Sequence, residues 1–184
     1  MNERTIAKIN EWDKFNHLFK RHELPAKTVL LREGDISKNL YRIEKGCLRT
    51  WFNNDGNDIT TQFFFEGDSV SSLESFKMNQ PSLFSIETIE PCILQSISRK
   101  DFQFVMDSTP SIKLDIEEHL FKRLVYCQKL LLSHIKDSPQ KRYEEILNQR
   151  PDIIMRIPQH YIASFLGITK VHLSRIKSKL ARKE

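Results

Sequence analysis

Arg156-Ile-Pro-Gln-His-Tyr-Ile-Ala-Ser-Phe-Leu-Gly-Ile-Thr-Lys-Val-His-Leu-Ser-Arg-Ile-Lys-Ser-Lys-Leu-Ala-Arg-Lys-Glu184 reads as two short helices joined by a tight turn. Ile162, Phe165 and Leu166 recur at helical spacing, and small Ala163 leaves room for a second helix to approach. Gly167 reaches positive φ without steric cost, so the first helix is expected to stop there. Ile168 can plug the turn, and Thr169 is a good N-cap for the helix that follows. Leu173, Ile176 and Leu180 form that helix's inner stripe, leaving Val171, Ser174, Arg175, Ser178 and Arg182 on the opposite face with Lys170 beside them. Apolar inward and serine–arginine outward is the pattern of a helix that enters a DNA major groove. Charge agrees: the segment holds seven Lys or Arg and one acid, a net +6, whereas the whole chain is +5. Everything before Arg156 therefore sums to −1, and basic charge is concentrated where phosphate neutralisation would need it.

The remaining composition excludes most other classes. At 184 residues, 39% hydrophobic and 29% charged, the chain suits one larger and one small globular domain. No stretch approaches the roughly 18 apolar residues of a membrane span, and the N-terminus carries no apolar signal core, so a cytoplasmic protein is expected. Cys47, Cys92 and Cys127 are odd in number and scattered, which argues against a disulfide framework. His17, His22, His119, His134, His160 and His172 show no metal-ligand spacing, and no Walker loop, G-x-S-x-G or paired-carboxylate signature is present. No catalytic residue, metal or cofactor is therefore expected.

Upstream, Gly34, Gly46, Gly56 and Gly67 fall about a dozen residues apart, between short runs rich in β-branched and aromatic residues: 28–31, 40–43, 47–52 and 59–65. Regular turns between short strands signal an antiparallel sandwich or barrel. Asn53-Asn-Asp-Gly56 is a strong hairpin turn, and 83–89 with 92–97 looks like a further strand pair. A short amphipathic helix is expected around Thr5 to Phe19. Thr109-Pro110 starts a helix to about Lys136, and Ser138-Pro139 starts another through about Gln149. The long helix carries two apolar strips. Ile116, Leu120, Leu124, Cys127 and Leu131 lie on one, the expected dimer interface, and Leu114, Phe121, Val125 and Leu132 on the other; one strip is expected against the roll and one against a second copy.

A glycine-punctuated roll, a long helix and a helix-turn-helix, in that order, resemble the Crp/Fnr family of transcription regulators. The likeness rests on Arg32-Glu-Gly-Asp35, Tyr41-Arg-Ile-Glu-Lys-Gly46, Phe65-Glu-Gly-Asp68 and Ile157 to Leu180, and covers nearly the whole chain. It implies an α+β fold: an N-terminal antiparallel β-roll of the cyclic-nucleotide-binding jelly-roll type (1–108), a long dimerisation helix (109–137) and a C-terminal helix-turn-helix domain with little or no wing (138–184). Nucleotide-binding members hold the ribose through Gly-Glu-Leu and the phosphate through Arg-Ser/Thr-Ala. Here those places read Ser71-Ser72-Leu73 and Ser82-Leu83-Phe84. Without an arginine a buried phosphate lacks its bidentate partner, so Ser71, Ser72, Leu73, Ser82 and Leu83 are expected to line a pocket for a different small effector, if any.

The resemblance implies double-stranded DNA with a palindromic operator as partner, a homodimer, and RNA polymerase as a further partner. Arg175 stands where members read guanine, and Val171 where many have glutamate, so a different half-site is expected. The expected DNA-facing set is Thr169, Lys170, Val171, His172, Ser174, Arg175, Ser178, Lys179 and Arg182. The alternative is a sensor module whose C-terminal helices bind a protein.

Overall fold

A computed structural model describes residues 11–182. The chain separates into two compact units. One joins the residues up to Leu48 with Phe64–Val125, and the other joins Arg49–Phe63 with the residues from Tyr126 onward.

The first unit is an antiparallel roll. Strands β1 (Lys20–Leu24), β2 (Val29–Leu31), β3 (Asn39–Lys45), β6 (Ser69–Val70), β7 (Ser85–Thr88) and β8 (Cys92–Ser98) belong to it, and β4 (Leu48–Asn54) leaves it after Leu48. One sheet runs β1-β8-β3-β6. Its register sets Lys20 opposite Ser96 and Leu24 opposite Cys92, and Asn39 opposite Ser98 and Ile43 opposite Leu94. The period-two alternation of a strand sends Leu94 and Ile43 to the same interior. There they meet Leu31, Leu48, Phe64, Val70, Ile86 and Cys92. Each such side chain contributes about 1.5–3 kcal/mol on full burial. β2 pairs with β7, across an irregularity between Val29 and Leu31. Helix α1 (Leu73–Met78) follows β6, and α2 (Arg99–Ser108) begins on Ser98, whose hydroxyl accepts from the Asp101 N–H. A second cluster of Ile97, Val105 and Ile112 receives Trp12, Phe15, Phe102 and Ile116.

β1 and β6 were not anticipated from the sequence, and the expected N-terminal amphipathic helix does not run to Phe19. Its start, Thr5 to Asn10, lies outside the described residues. From there only Glu11–Asp13 are helical, followed by a 3₁₀ turn at Asn16–Leu18. Trp12, Phe15, Leu18 and Phe19 nonetheless all pack on the second cluster.

Helix α3 (Pro110–Lys136) starts on proline as expected and crosses from the first unit into the second. The second unit adds the hairpin of β4 with β5 (Asn57–Phe64), turned through Asp55 and Gly56, both at positive φ. It also holds α4 (Pro139–Gln149), α5 (Pro151–Arg156), α6 (Gln159–Phe165) and α7 (Lys170–Ala181). α5 was not expected. Pro151 ends α4, yet it also supplies the first position of a six-residue helix that buries Ile153. Tyr143, Ile153, Ile157, Ile162, Ala163, Phe165, Leu166, Leu173 and Ile176 form this unit's buried interior.

Candidate nucleic-acid interface

The turn between α6 and α7 is built from backbone bookkeeping. Gly167 sits at φ +67°, its N–H donates to Ser164 O, and the Ile168 N–H donates to Ala163 O. This is a Schellman cap, which satisfies two of the four orphan carbonyls at a helix end. The other two are capped by side chains. Arg142 Nη2 donates to Leu166 O at 2.5 Å, and His134 Nε2 lies 3.2 Å from Phe165 O. Arg142 Nη1 also reaches His134 O and Asp137 O, so one guanidinium closes the end of α3 and the end of α6 together.

Thr169 Oγ1 then accepts from the His172 N–H at 3.2 Å and starts α7. Leu173 and Ile176 are buried, fixing the helix's rotation. With that rotation Thr169, Lys170, Val171, His172, Ser174, Arg175, Ser178, Lys179 and Arg182 are all exposed. Ser174, Arg175, Ser178, Lys179 and Arg182 line one open cleft on this face. Lys179 Nζ is partly engaged by Gln140 Oε1 at 3.1 Å.

The β4–β5 hairpin braces α6 from behind. Arg49 is 2% exposed, with its guanidinium carbon 3.9 Å from the Tyr161 ring centroid and 5.0 Å from that of Trp51. Asp58 Oδ2 and Thr60 Oγ1 accept from its amines at 3.3 and 3.2 Å, partners that offset the cost of burying a cation. Ser164 Oγ accepts from the Thr60 N–H and donates to Asp58 O, both at 2.8 Å, so a helix hydroxyl occupies the open edge of β5. Phe63 and Phe165 rings lie 5.3 Å apart. None of Arg49, Tyr161, Ser164, His134 and Arg142 was singled out as functional from sequence. The one available signal was an arginine inside the otherwise inward-looking run Cys47-Leu-Arg-Thr-Trp-Phe52.

In the roll, Ser71, Ser72 and Ser82 are buried, while Leu73 and Leu83 are exposed at 50% and 71%. Three hydroxyls of this region are engaged. Ser82 Oγ donates to Phe84 O at 2.6 Å, Ser71 Oγ donates to Asn39 O and meets Ser37 Oγ, and Ser85 Oγ accepts from the Glu33 N–H. Ser71 and Ser82 spend their hydroxyls on the chain's own backbone, and none of Ser71, Ser72, Leu73, Ser82 and Leu83 is the cation a buried cyclic phosphate needs, so these residues do not fit one. Along α3, Ile116 is not free for the dimer interface expected of it, because it packs on the roll's second cluster, whereas Leu120, Leu124, Cys127 and Leu131 are exposed. Among the described residues no helix is long and apolar enough to cross a membrane, and no group of three His, Cys, Asp or Glu could hold a metal ion.

Comparison with known proteins agrees with this architecture. Residues 21–109 match the cyclic nucleotide-binding domain family. The cAMP-activated global transcriptional regulator CRP of Salmonella typhimurium is 22% identical over 170 residues, covering 86% of this chain and 81% of that protein. The c-di-GMP responsive global regulator CLP of Xanthomonas campestris superposes with a TM-score of 0.77 at 19% identity, covering 95% of this chain and 92% of that one. FixK2 of Bradyrhizobium japonicum superposes at 0.79 with 14% identity, covering 90% and 85%. Roll, long helix and helix-turn-helix follow one another as in these proteins: residues 21–109 carry the cyclic nucleotide-binding domain, and the chain as a whole is similar to regulators of the Crp/Fnr type.

Proposed function

We propose that this chain is a homodimeric, sequence-specific transcription regulator that binds double-stranded DNA through α7. The observation that carries the reading is the exposed face of that helix: Lys170, Arg175, Lys179 and Arg182 stand out with Ser174 and Ser178 between them, while Leu173 and Ile176 anchor the opposite side. Arg175, in the middle of the helix, reads a guanine edge, and the flanking cations neutralise phosphates. Val171 offers an apolar surface to a thymine methyl. Dimerisation is supported by the apolar side chains α3 leaves in water, among them Leu120, Leu124 and Leu131 at 41%, 56% and 62% exposure. A two-fold pair would set two copies of α7 about 34 Å apart, in successive major grooves of a palindrome. The roll senses a small effector other than a cyclic nucleotide, and RNA polymerase is the machinery such a regulator acts through.

The test is selection of bound fragments from a random duplex library at near-physiological salt without nucleotide. A palindrome with half-sites one helical turn apart is the expected product. Arg175→Ala should then flatten preference at one base pair per half-site, a loss of about 1–3 kcal/mol of discrimination. Arg182→Ala should lower affinity for all sequences alike and reduce the salt slope by about one. Binding without a motif that vanishes as salt rises would instead favour a protein partner for the C-terminal helices.

A further inference from the structure

His134, in the last turn of α3, touches two carbonyl oxygens at once. Nδ1 lies 2.9 Å from Leu130 O on its own helix, and Nε2 lies 3.2 Å from Phe165 O at the end of α6. A carbonyl oxygen only accepts, and a neutral imidazole carries a single N–H. Both contacts are therefore hydrogen bonds only when both ring nitrogens are protonated. We propose that His134 is a proton-dependent clamp, holding the helix-turn-helix to the end of the long helix when charged and releasing one of its two carbonyls when neutral.

The surrounding charges fit this role. From α4, Arg142 caps Leu166 O permanently, and Lys141 is tied to Asp137 at 2.6 Å. Lys136 is the neighbouring cation on α3. Residues 162–169 of α6 and its turn contain no titratable group; His160 and Tyr161 sit at the other end of α6, and Lys170 and His172 open α7. On the hairpin, Asp58 is engaged by Arg49. The clamp thus has one constant member, Arg142, and one, His134, whose second hydrogen bond depends on a ring proton. The proposal concerns how the reading helices are seated and does not depend on what they read.

The test is amide hydrogen exchange of Gly167 and Ile168 in the full-length protein at pH 6 and pH 8, corrected for intrinsic exchange, with no DNA present. Protection in the wild type should fall about two- to five-fold between the two pH values, the span expected for a histidinium at a helix C-terminus. His134→Gln should remove that step. Arg142→Gln should lower protection at both pH values and keep the step. A wild type with equal protection at both pH values would overturn the proposal. So would a step that survives in His134→Gln, since it would then belong to His160 or His172.

Discussion

The guanidinium carbon of Arg49 lies 3.9 Å from the centroid of the Tyr161 ring, and this stack ties a hairpin built from residues 49–63 to the first helix of the helix-turn-helix. A desolvated cation on an aromatic face is worth about 2 kcal/mol, and the planar guanidinium achieves it in a way an ammonium cannot. Arg49→Lys is therefore expected to destabilise the protein. A double-mutant cycle of Arg49→Lys with Tyr161→Leu, read by urea unfolding, should show a coupling of about 1–2 kcal/mol. Additive losses would mean the two residues do not act as a unit.

Ser164 is expected to matter beyond its size. Ser164→Ala leaves the Thr60 N–H and Asp58 O without the hydroxyl that now serves both, a loss of about 1–3 kcal/mol for a buried donor left unpaired. Exchange of the Thr60 amide should accelerate in this variant more than exchange elsewhere in the β4–β5 hairpin. Unchanged Thr60 protection would count against the hydroxyl as its partner.

The α6–α7 turn makes a clean test of backbone conformation. A Cβ built on Gly167 meets nothing within 4 Å, so Gly167→Ala carries no clash, only the cost of φ +67°. That cost is about 1–2 kcal/mol, and Gly167→Asn should lose less, because asparagine tolerates the left-handed region. Thermal unfolding of the two variants should rank Gly167→Asn above Gly167→Ala.

Acid should uncouple one ion pair at the α3–α4 junction. The Lys141 ammonium bonded to Asp137 holds that carboxyl below its usual range. A depressed folded value means that the stabilisation is present above the unfolded carboxylate pKa and is lost as pH falls through the folded one. The stability difference between wild type and Asp137→Asn should accordingly be present at pH 7, shrink below about pH 4 and vanish in stronger acid. The same difference should shrink in part in high salt, since the Lys141 end of the pair is exposed while the Asp137 side chain is covered.

By itself the sequence determined the elements whose causes are local. The inner stripe Leu173 and Ile176, the caps at Thr169 and Ser138, the stop at Gly167 and the hairpin turn at Asp55-Gly56 are legible because periodicity, capping and positive φ act over four residues or fewer. The absence of an arginine from Ser82-Leu83-Phe84 likewise shows in the letters alone. Strand β6 escaped notice because two residues carry no alternation, and α5 because Pro151 reads equally as an end and a beginning. Tertiary structure alone decided which distant groups meet. That Ser164 completes the edge of β5, that Arg49 lies under Tyr161, and that His134 and Arg142 share the last carbonyls of α6 depends on contacts 24 to 112 residues apart in sequence. Nothing in a window of sequence encodes these pairs, because each buried polar group finds its partner only after chain folding has brought two unrelated segments within hydrogen-bonding distance.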